Sequence, residues 1–398
     1  MYDFPVDAVM VLLLITCLVG IGAQWLKQPY TIALVLMGLV VALTKLTPQI
    51  SLTHDVAFYL ILPPILFQGG MHLHLDHLKK DWKLIALLAV PGVVICALLV
   101  GYPLHYFWHI PLDYALLFGA LISPTDPVSV LATLKKIRAP DRLRTILEAE
   151  SLFNDGTGVV LFMVILSMIQ NSQTVNIPHA LGQFLLVSGG GALVGGLCGY
   201  LICAIMKPIE DHLLHVALTV VLTFGTPLIA EFWHCSGIIA VVVAGLVMGN
   251  GRRHCMPAKS RETVEIFWEV IDFIMTALVF LIIGVELQVV GKNNLIEFQG
   301  LIWAGIAIVF CSRILVVYPS IYAHNRILKP PVPLVWSHIL FWGGLRGTIP
   351  IILVLQLPQS QYRPLLLAMT FGIVLFSLVV QGLTIEPLLK RLKLQKEN

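Results

Sequence analysis

A chain of 398 residues that is 58% hydrophobic and only 12% charged, with a mean hydropathy of +0.90, is not an ordinary soluble domain, which carries about 25% charged residues. The profile is that of a polytopic membrane protein. Its net charge of +3 says little by itself, because in such a chain the placement of Lys and Arg along the loops carries the information.

Apolar stretches long enough to span about 30 Å, allowing interruptions by Gly and Pro, number about thirteen. They run roughly over 8–26, 30–47, 55–73, 83–107, 112–134, 142–170, 180–206, 213–232, 235–250, 263–288, 296–323, 333–357 and 363–388. The first reads as a retained span and not a signal peptide, since no short basic segment or small-residue cleavage site accompanies it. The expected fold is therefore all-α, about thirteen transmembrane helices, with the termini on opposite sides.

The connections test the count. Lys27, Lys79, Lys80, Lys83, Lys135, Lys136, Arg138, Arg142, Arg144, Lys207, Arg252, Arg253, Lys259, Arg261, Arg326, Lys329, Lys390, Arg391, Lys393 and Lys396 fall on one side, against Lys45, Lys292 and Arg363 on the other. That asymmetry predicts an outside N-terminus and a cytoplasmic C-terminus. The two remaining basic residues, Arg313 and Arg346, lie inside apolar stretches, so each needs a partner. Arg313 is expected to neutralise a core carboxylate.

The fifth stretch, Leu116 to Val130, contains Pro124 and Pro127, which lack an N–H and clash with the preceding turn. The backbone at Thr125 and Asp126 cannot be regular helix. Phe341 to Pro350 breaks the twelfth stretch through three glycines and Pro350. Two interrupted helices seven spans apart, and so oppositely oriented, point to an inverted-repeat transporter with a site near the midplane.

The sixth stretch carries the chemistry. Glu150 and Asp155 stand close to a hydrophobic run, where an ionisable residue costs about 2.5–3.5 kcal/mol on insertion scales. Ser151 and Asp155, four apart, share one helical face, and Glu150 and Asn154 form the adjacent stripe. Along their helices from the cytoplasmic ends, Asp155 lies about 20 Å, Arg346 about 18 Å and Asp126 about 14 Å in. Carboxylate, hydroxyl and backbone carbonyl at Asp155, Asp126, Ser151 and Thr125 are hard ligands suited to a small monovalent cation. A single carboxylate that binds either a proton or Na+ gives exchange by competition.

Other polar groups read more plainly. Asp155 has one structural alternative, a helix–helix hydrogen bond or salt bridge. Asp126 either caps freed N–H groups or ligates the ion directly. Glu269 and Asp272 read as a solvated funnel wall, with Glu286 near the outer end. His72, His74 and His77 have the spacing of a metal-binding or pH-sensing group but are read as a solvated turn beside Lys79 and Lys80. Seven cysteines without CxxC spacing read as small packing residues, and Gly189 to Gly199 as close helix packing.

Taken together, Glu150-Ser-Leu-Phe-Asn-Asp-Gly, Ser123-Pro-Thr-Asp-Pro-Val-Ser-Val and Gly343-Gly-Leu-Arg-Gly resemble the motifs of the NhaP-type sodium/proton antiporters, relatives of the eukaryotic sodium/hydrogen exchangers. The resemblance implies an ion- and proton-binding aspartate at Asp155 with Asn154 beside it, a pairing associated with electroneutral exchange. It implies site residues at Thr125, Asp126 and Ser151, so that Na+ would sit at Asp155, Ser151 and Thr125. It implies a structural ion pair between Glu150 and Arg346. It also implies a homodimer, with a core bundle near 83–170 and 296–388 sliding against an interface part near 1–75 and 180–288. Gln68 stands where relatives often have glutamate, an accessory position that bears on selectivity. A chain ending soon after the last span is expected to lack a cytosolic regulatory domain.

The function expected is Na+ (or Li+)/H+ antiport in the cell's inner (plasma) membrane, with a monovalent cation, protons and lipid as partners and no cofactor or nucleic acid. The alternatives are K+/H+ antiport on the same site, or an uncoupled cation channel. An intramembrane enzyme is not expected, for want of GxSxG, HExxH or paired catalytic aspartates.

Overall fold

The computed structural model describes residues 6–26, 30–44, 55–171, 177–290, 292–327 and 330–392. Among them every regular element is helical and no strand occurs. Within the described residues, the apolar stretches expected from the sequence fall on helices or on consecutive helical segments. Seven helices among the described residues are long and apolar enough to cross a bilayer, and four shorter apolar ones lie at Met10–Ala23, Tyr30–Ala42, Val56–His72 and Leu112–Ile122. Lys27, Lys45, Lys329, Lys393 and Lys396, which enter the loop asymmetry, lie outside the described residues.

The helices pack in two groups. One consists of Val6–Leu26, Tyr30–Thr44, Leu62–His72, Ile177–Met206, His212–Phe232, Gly237–Cys255 and Ala258–Val290. Its crossings are made by backbone on backbone, as small residues permit. A Cβ at Gly195 would overlap the Ala240 carbonyl, one at Gly191 that of Ser236, and ones at Gly245 and Gly249 those of Phe67 and Met71. The helix Gly237–Cys255, capped at its start by Ser236 Oγ accepting from the Ile239 N–H at 3.2 Å, is thereby held between two neighbours.

The other group surrounds the 30-residue helix Asp141–Gln170. Against it lie Leu75–Ala89 with Pro91–Trp108, and Leu112–Ile122; Gln299–Ile327 packs on Pro91–Trp108, and the last span, Arg363–Arg391, on Gln299–Ile327. Gly156 and Gly158 interrupt this central helix at a propensity cost of about 1 kcal/mol each. Contact explains both: a Cβ at Gly158 would meet the Pro124 ring, and one at Gly156 the Ile239 side chain.

Both broken spans are present. Leu112–Ile122 stops at Ser123 and helix resumes at Val128–Lys136. Leu334–Trp342 stops at Gly343 and helix resumes at Thr348–Leu355. Pro350, expected to help break the second span, instead lies in the first turn of its second half, where a missing N–H leaves no intrahelical bond unmade. The glycines and Arg346 make that break. A π-helical segment, Ser377–Gln381, interrupts the last span opposite it.

Candidate functional site

The two breaks meet back to back. The Asp126 N–H donates to the Leu345 carbonyl at 2.8 Å, and Arg346 Nη1 donates to the carbonyls of Ser123 at 2.5 Å and Pro124 at 3.0 Å. These acceptors are the carbonyls left open where the first half-helix ends. Gly347 is required at the crossing, because a Cβ there would lie on the Asp126 carboxylate.

Behind the first break stands one stripe of the central helix. Asn154 Oδ1 accepts from the Thr125 N–H at 3.1 Å, and its Nδ2 donates to Thr125 Oγ1 at 2.8 Å and to Glu150 Oε1 at 3.0 Å. Asn154 thus uses all its polar atoms to hold the unwound backbone, and is not among the residues lining the cavity described below. Asp126 Oδ1 caps the second half-helix by accepting from the Val128 N–H at 3.1 Å.

Glu150 pairs with Arg313. Their two-pronged contact, at 2.8 and 2.9 Å, is buried, Glu150 being 1% exposed. Arg346, the partner expected from the sequence, reaches peptide carbonyls instead. The physical reason is the break itself: its uncapped carbonyls offer Arg346 acceptors, while Arg313 on Gln299–Ile327 faces Glu150 and also donates to the Leu340 carbonyl at 3.0 Å.

The other stripe, Glu148, Ser151, Leu152 and Asp155, lines a cavity of about 690 Å³. Thr125, Asp126, Gly347 and Thr348 reach the same cavity from the two breaks. Asp155 falls at the middle of its helix, and among the described residues its carboxylate has no hydrogen bond or ion pair. Ser151 Oγ donates to the Thr125 carbonyl at 2.5 Å, so those two oxygens sit together on the wall. Gln68, 5% exposed, also lines the cavity, and its Oε1 has no hydrogen-bond partner. His72, Lys136 and Glu386, in helices whose ends carry the basic connections, line it as well, as do Glu269 and Asp272 further along Ala258–Val290.

Some supports escaped sequence reasoning. Ser377 Oγ accepts from the Arg346 N–H at 2.8 Å and donates to Gln381 Oε1 at 2.5 Å, while Gln381 Nε2 donates to the Trp342 carbonyl at 3.0 Å. Together they satisfy the second break from the last span. Arg142, counted among the loop cations, makes a two-pronged contact of 2.8 and 2.6 Å with Asp81 and donates to the carbonyls of Pro330 and Pro331, both at 3.0 Å. Asp81 is only 2% exposed, and a carboxylate so buried needs the partner that Arg142 supplies; in the sequence it stands among Lys79, Lys80 and Lys83 and gives no sign of that burial.

Two interrupted spans crossing beside an unpaired mid-helix carboxylate, with unwound carbonyls on an open cavity, are the architecture of an ion-coupled secondary transporter. The chain belongs to the sodium/hydrogen exchanger family, whose transmembrane domain matches residues 10–391. It is 39% identical to the Na(+)/H(+) antiporter NhaP of Pseudomonas aeruginosa over 346 residues, covering 85% of this chain and 81% of that one. It is 36% identical to the Na(+)/H(+) antiporter NhaH of Halobacillus aidingensis over 407 residues, covering 97% of each. In fold it matches the sodium proton antiporter MjNhaP1 of Methanocaldococcus jannaschii with a TM-score of 0.82 at 21% identity, covering 98% of this chain and 99% of that one.

Proposed function

We propose that this protein exchanges Na+, and Li+ with it, for H+ by alternating access, the cation and the proton competing for Asp155. The observation that carries this reading is the Asp155 carboxylate, unpaired among the described residues and open to the cavity beside Ser151 and Thr125. A group with no internal counter-charge is free to take either ion. The names of the relatives favour sodium.

Exchange is electroneutral in this reading. Glu150 is balanced by Arg313, and Asp126 is engaged as a helix cap, so of the three carboxylates at the two breaks Asp155 is the one left to carry either one proton or one cation. Both loaded forms then bear the same charge. Thr125 and Ser151 supply the oxygens of the cation site, with Gln68 as an accessory ligand, and Asn154, Glu150, Arg313 and Arg346 hold the backbone in place.

The helix group built on Gly237–Cys255 acts as the interface part and the group around Asp141–Gln170 as the moving core. The protein works as a homodimer in the plasma membrane with its C-terminus in the cytoplasm. An apolar outward face on Ile177–Met206, with Leu186, Leu193 and Leu197 exposed, suits a partner or lipid. The cavity reaches His72, Lys136 and Glu386, in helices whose ends carry the basic connections, and in this reading it faces the cytoplasm.

The test is cation-driven proton movement in sealed proteoliposomes with a trapped pH dye. Na+ or Li+ should dissipate a pH gradient, equally with and without the membrane potential held at zero, and Asp155→Asn should be silent. Current under an Na+ gradient would remove electroneutrality. Response to K+ alone would favour a K+/H+ exchanger with Gln68 setting the preference. An Asp155→Asn variant as active as wild type would overturn the reading.

A further inference from the structure

The three histidines near the end of the third apolar stretch do not act together. The helix Leu62–His72 ends at His72, Leu73 and His74 are extended, and the next helix, Leu75–Ala89, begins after His74. His74 and His77 face each other with ring centroids 6.1 Å apart. His72 points elsewhere. Among the described residues it gathers with Glu265 and Glu269 of Ala258–Val290, and one ligating atom from each lies within 4.8 Å of the others.

We propose that His72, Glu265 and Glu269 bind one divalent transition-metal cation at the mouth of the cavity that leads to Asp155. Three features support it. First, the donor set is built from two helices that pack on each other, with Glu265 and Glu269 four apart on one face of theirs.

Second, the donors are oriented in advance. A ring nitrogen of His72, Nδ1, is 3.1 Å from the Gln68 carbonyl and so carries the proton, which leaves Nε2 as the ligand atom. The turn after His72 is pinned by Asn250, which accepts from the Leu75 N–H at 2.9 Å and donates to the Leu73 carbonyl at 2.9 Å. Glu265 Oε2 accepts from Arg252 Nη1 at 3.1 Å, fixing that carboxylate and leaving its second oxygen. Each is the kind of outer contact that orients a metal ligand.

Third, size and type agree. Metal–ligand distances of about 2.0–2.2 Å put donors at most about 4.4 Å apart across an ion. Rotation of the exposed Glu269 closes that difference. One imidazole with two carboxylates selects Zn2+ or Co2+ over the all-oxygen preferences of Mg2+ and Ca2+.

His72 and Glu269 line the cavity, so an ion there cancels the Glu265 and Glu269 charges at the mouth of the route to Asp155 and leaves Arg252 unopposed beside it. The attraction for an entering cation is lost and the passage is narrowed. Binding of the metal does not rest on the transport reading; its effect on transport does.

The experiment titrates tag-free purified protein with Zn2+ and with Co2+ by calorimetry, for wild type, His72→Ala, Glu269→Gln and His74→Ala/His77→Ala. One site per chain is expected, weakened in His72→Ala and Glu269→Gln by more than about tenfold, the low end of what loss of an outer partner costs, and unchanged in the double variant. Glu269 is exposed, so its variant tests the site without disturbing the fold. No site in wild type, equal affinity in Glu269→Gln and wild type, or loss only in the double variant each overturns the proposal. In proteoliposomes, Zn2+ should inhibit Na+-driven exchange in wild type and not in His72→Ala; exchange that persists at saturating Zn2+ overturns the placement on the ion route.

Discussion

The Asp126 N–H donates to the Leu345 carbonyl at 2.8 Å, so the two interrupted spans are joined main chain to main chain. Neither break stands alone. Each uses the other, with Arg346, Ser377 and Asn154, to satisfy groups its own helix has left open.

Glycine at position 347 follows from this junction. Gly347→Ala should remove exchange activity while the protein still folds, because the new methyl displaces the Asp126 carboxylate and not a core helix. Gly225→Ala is the control, with nothing within 4 Å of its Cβ, and should keep activity and gain up to about 1 kcal/mol of helix propensity. Dye-reported exchange in proteoliposomes, with melting temperatures in detergent, checks both.

The Glu150–Arg313 pair should behave as a buried pair. Arg313→Met or Glu150→Leu alone leaves a stranded charge and should cost about 3–5 kcal/mol, whereas the double variant should be more stable than either. Thermal melting of all four proteins gives the coupling. Strictly additive losses would mean that the two side chains do not depend on each other. Arg346→Met combined with Glu150→Leu should show no such rescue.

Ser377→Ala should strand the Arg346 N–H and loosen Gln381, at about 1–3 kcal/mol for the unsatisfied donor. Lower melting temperature and slower exchange are expected. Ser377→Thr, which keeps the hydroxyl, should recover most of both, and equal loss in the two variants would show that the hydroxyl is not what matters.

The proposed competition at Asp155 sets a pH dependence. A protonated Asp155 cannot bind Na+, so the apparent KM for Na+ rises as pH falls, by about tenfold per unit once the site is mostly protonated. Maximal rate at saturating Na+ should change far less over the same range. Initial rates across an Na+ series at several pH values measure this, and a KM that is flat in pH would separate the proton site from the cation site.

Much of this was legible in the residues. Pro124 and Pro127 locate the first break because proline has no N–H to give, and the spacing of Ser151 and Asp155 locates the cavity-facing stripe because a helix repeats every 3.6 residues. Pairing across helices was not legible. Arg313 and Arg346 are both arginines within apolar runs, and no spacing along the chain says which of them faces Glu150. Ser377 and Gln381 were hidden for the opposite reason, as two small polar residues in a run that reads as plain membrane. Pro350 misled, since its effect depends on whether it falls in the middle of a helix or in its first turn. His72 was grouped with His74 and His77 by nearness in sequence, which a chain reversal at Leu73 undoes.

The crossings at Gly191, Gly195, Gly245 and Gly249 carry one more consequence. Along them the helix Gly237–Cys255 meets its neighbours through peptide groups, and a peptide group has no rotamers. Elsewhere in a protein, neighbouring helices can slip by letting side chains hop between wells. Along these four crossings nothing can hop, so under the alternating access proposed above those helices are expected to travel together, with the change of access to Asp155 taken up along the side-chain-lined boundary where the cavity lies.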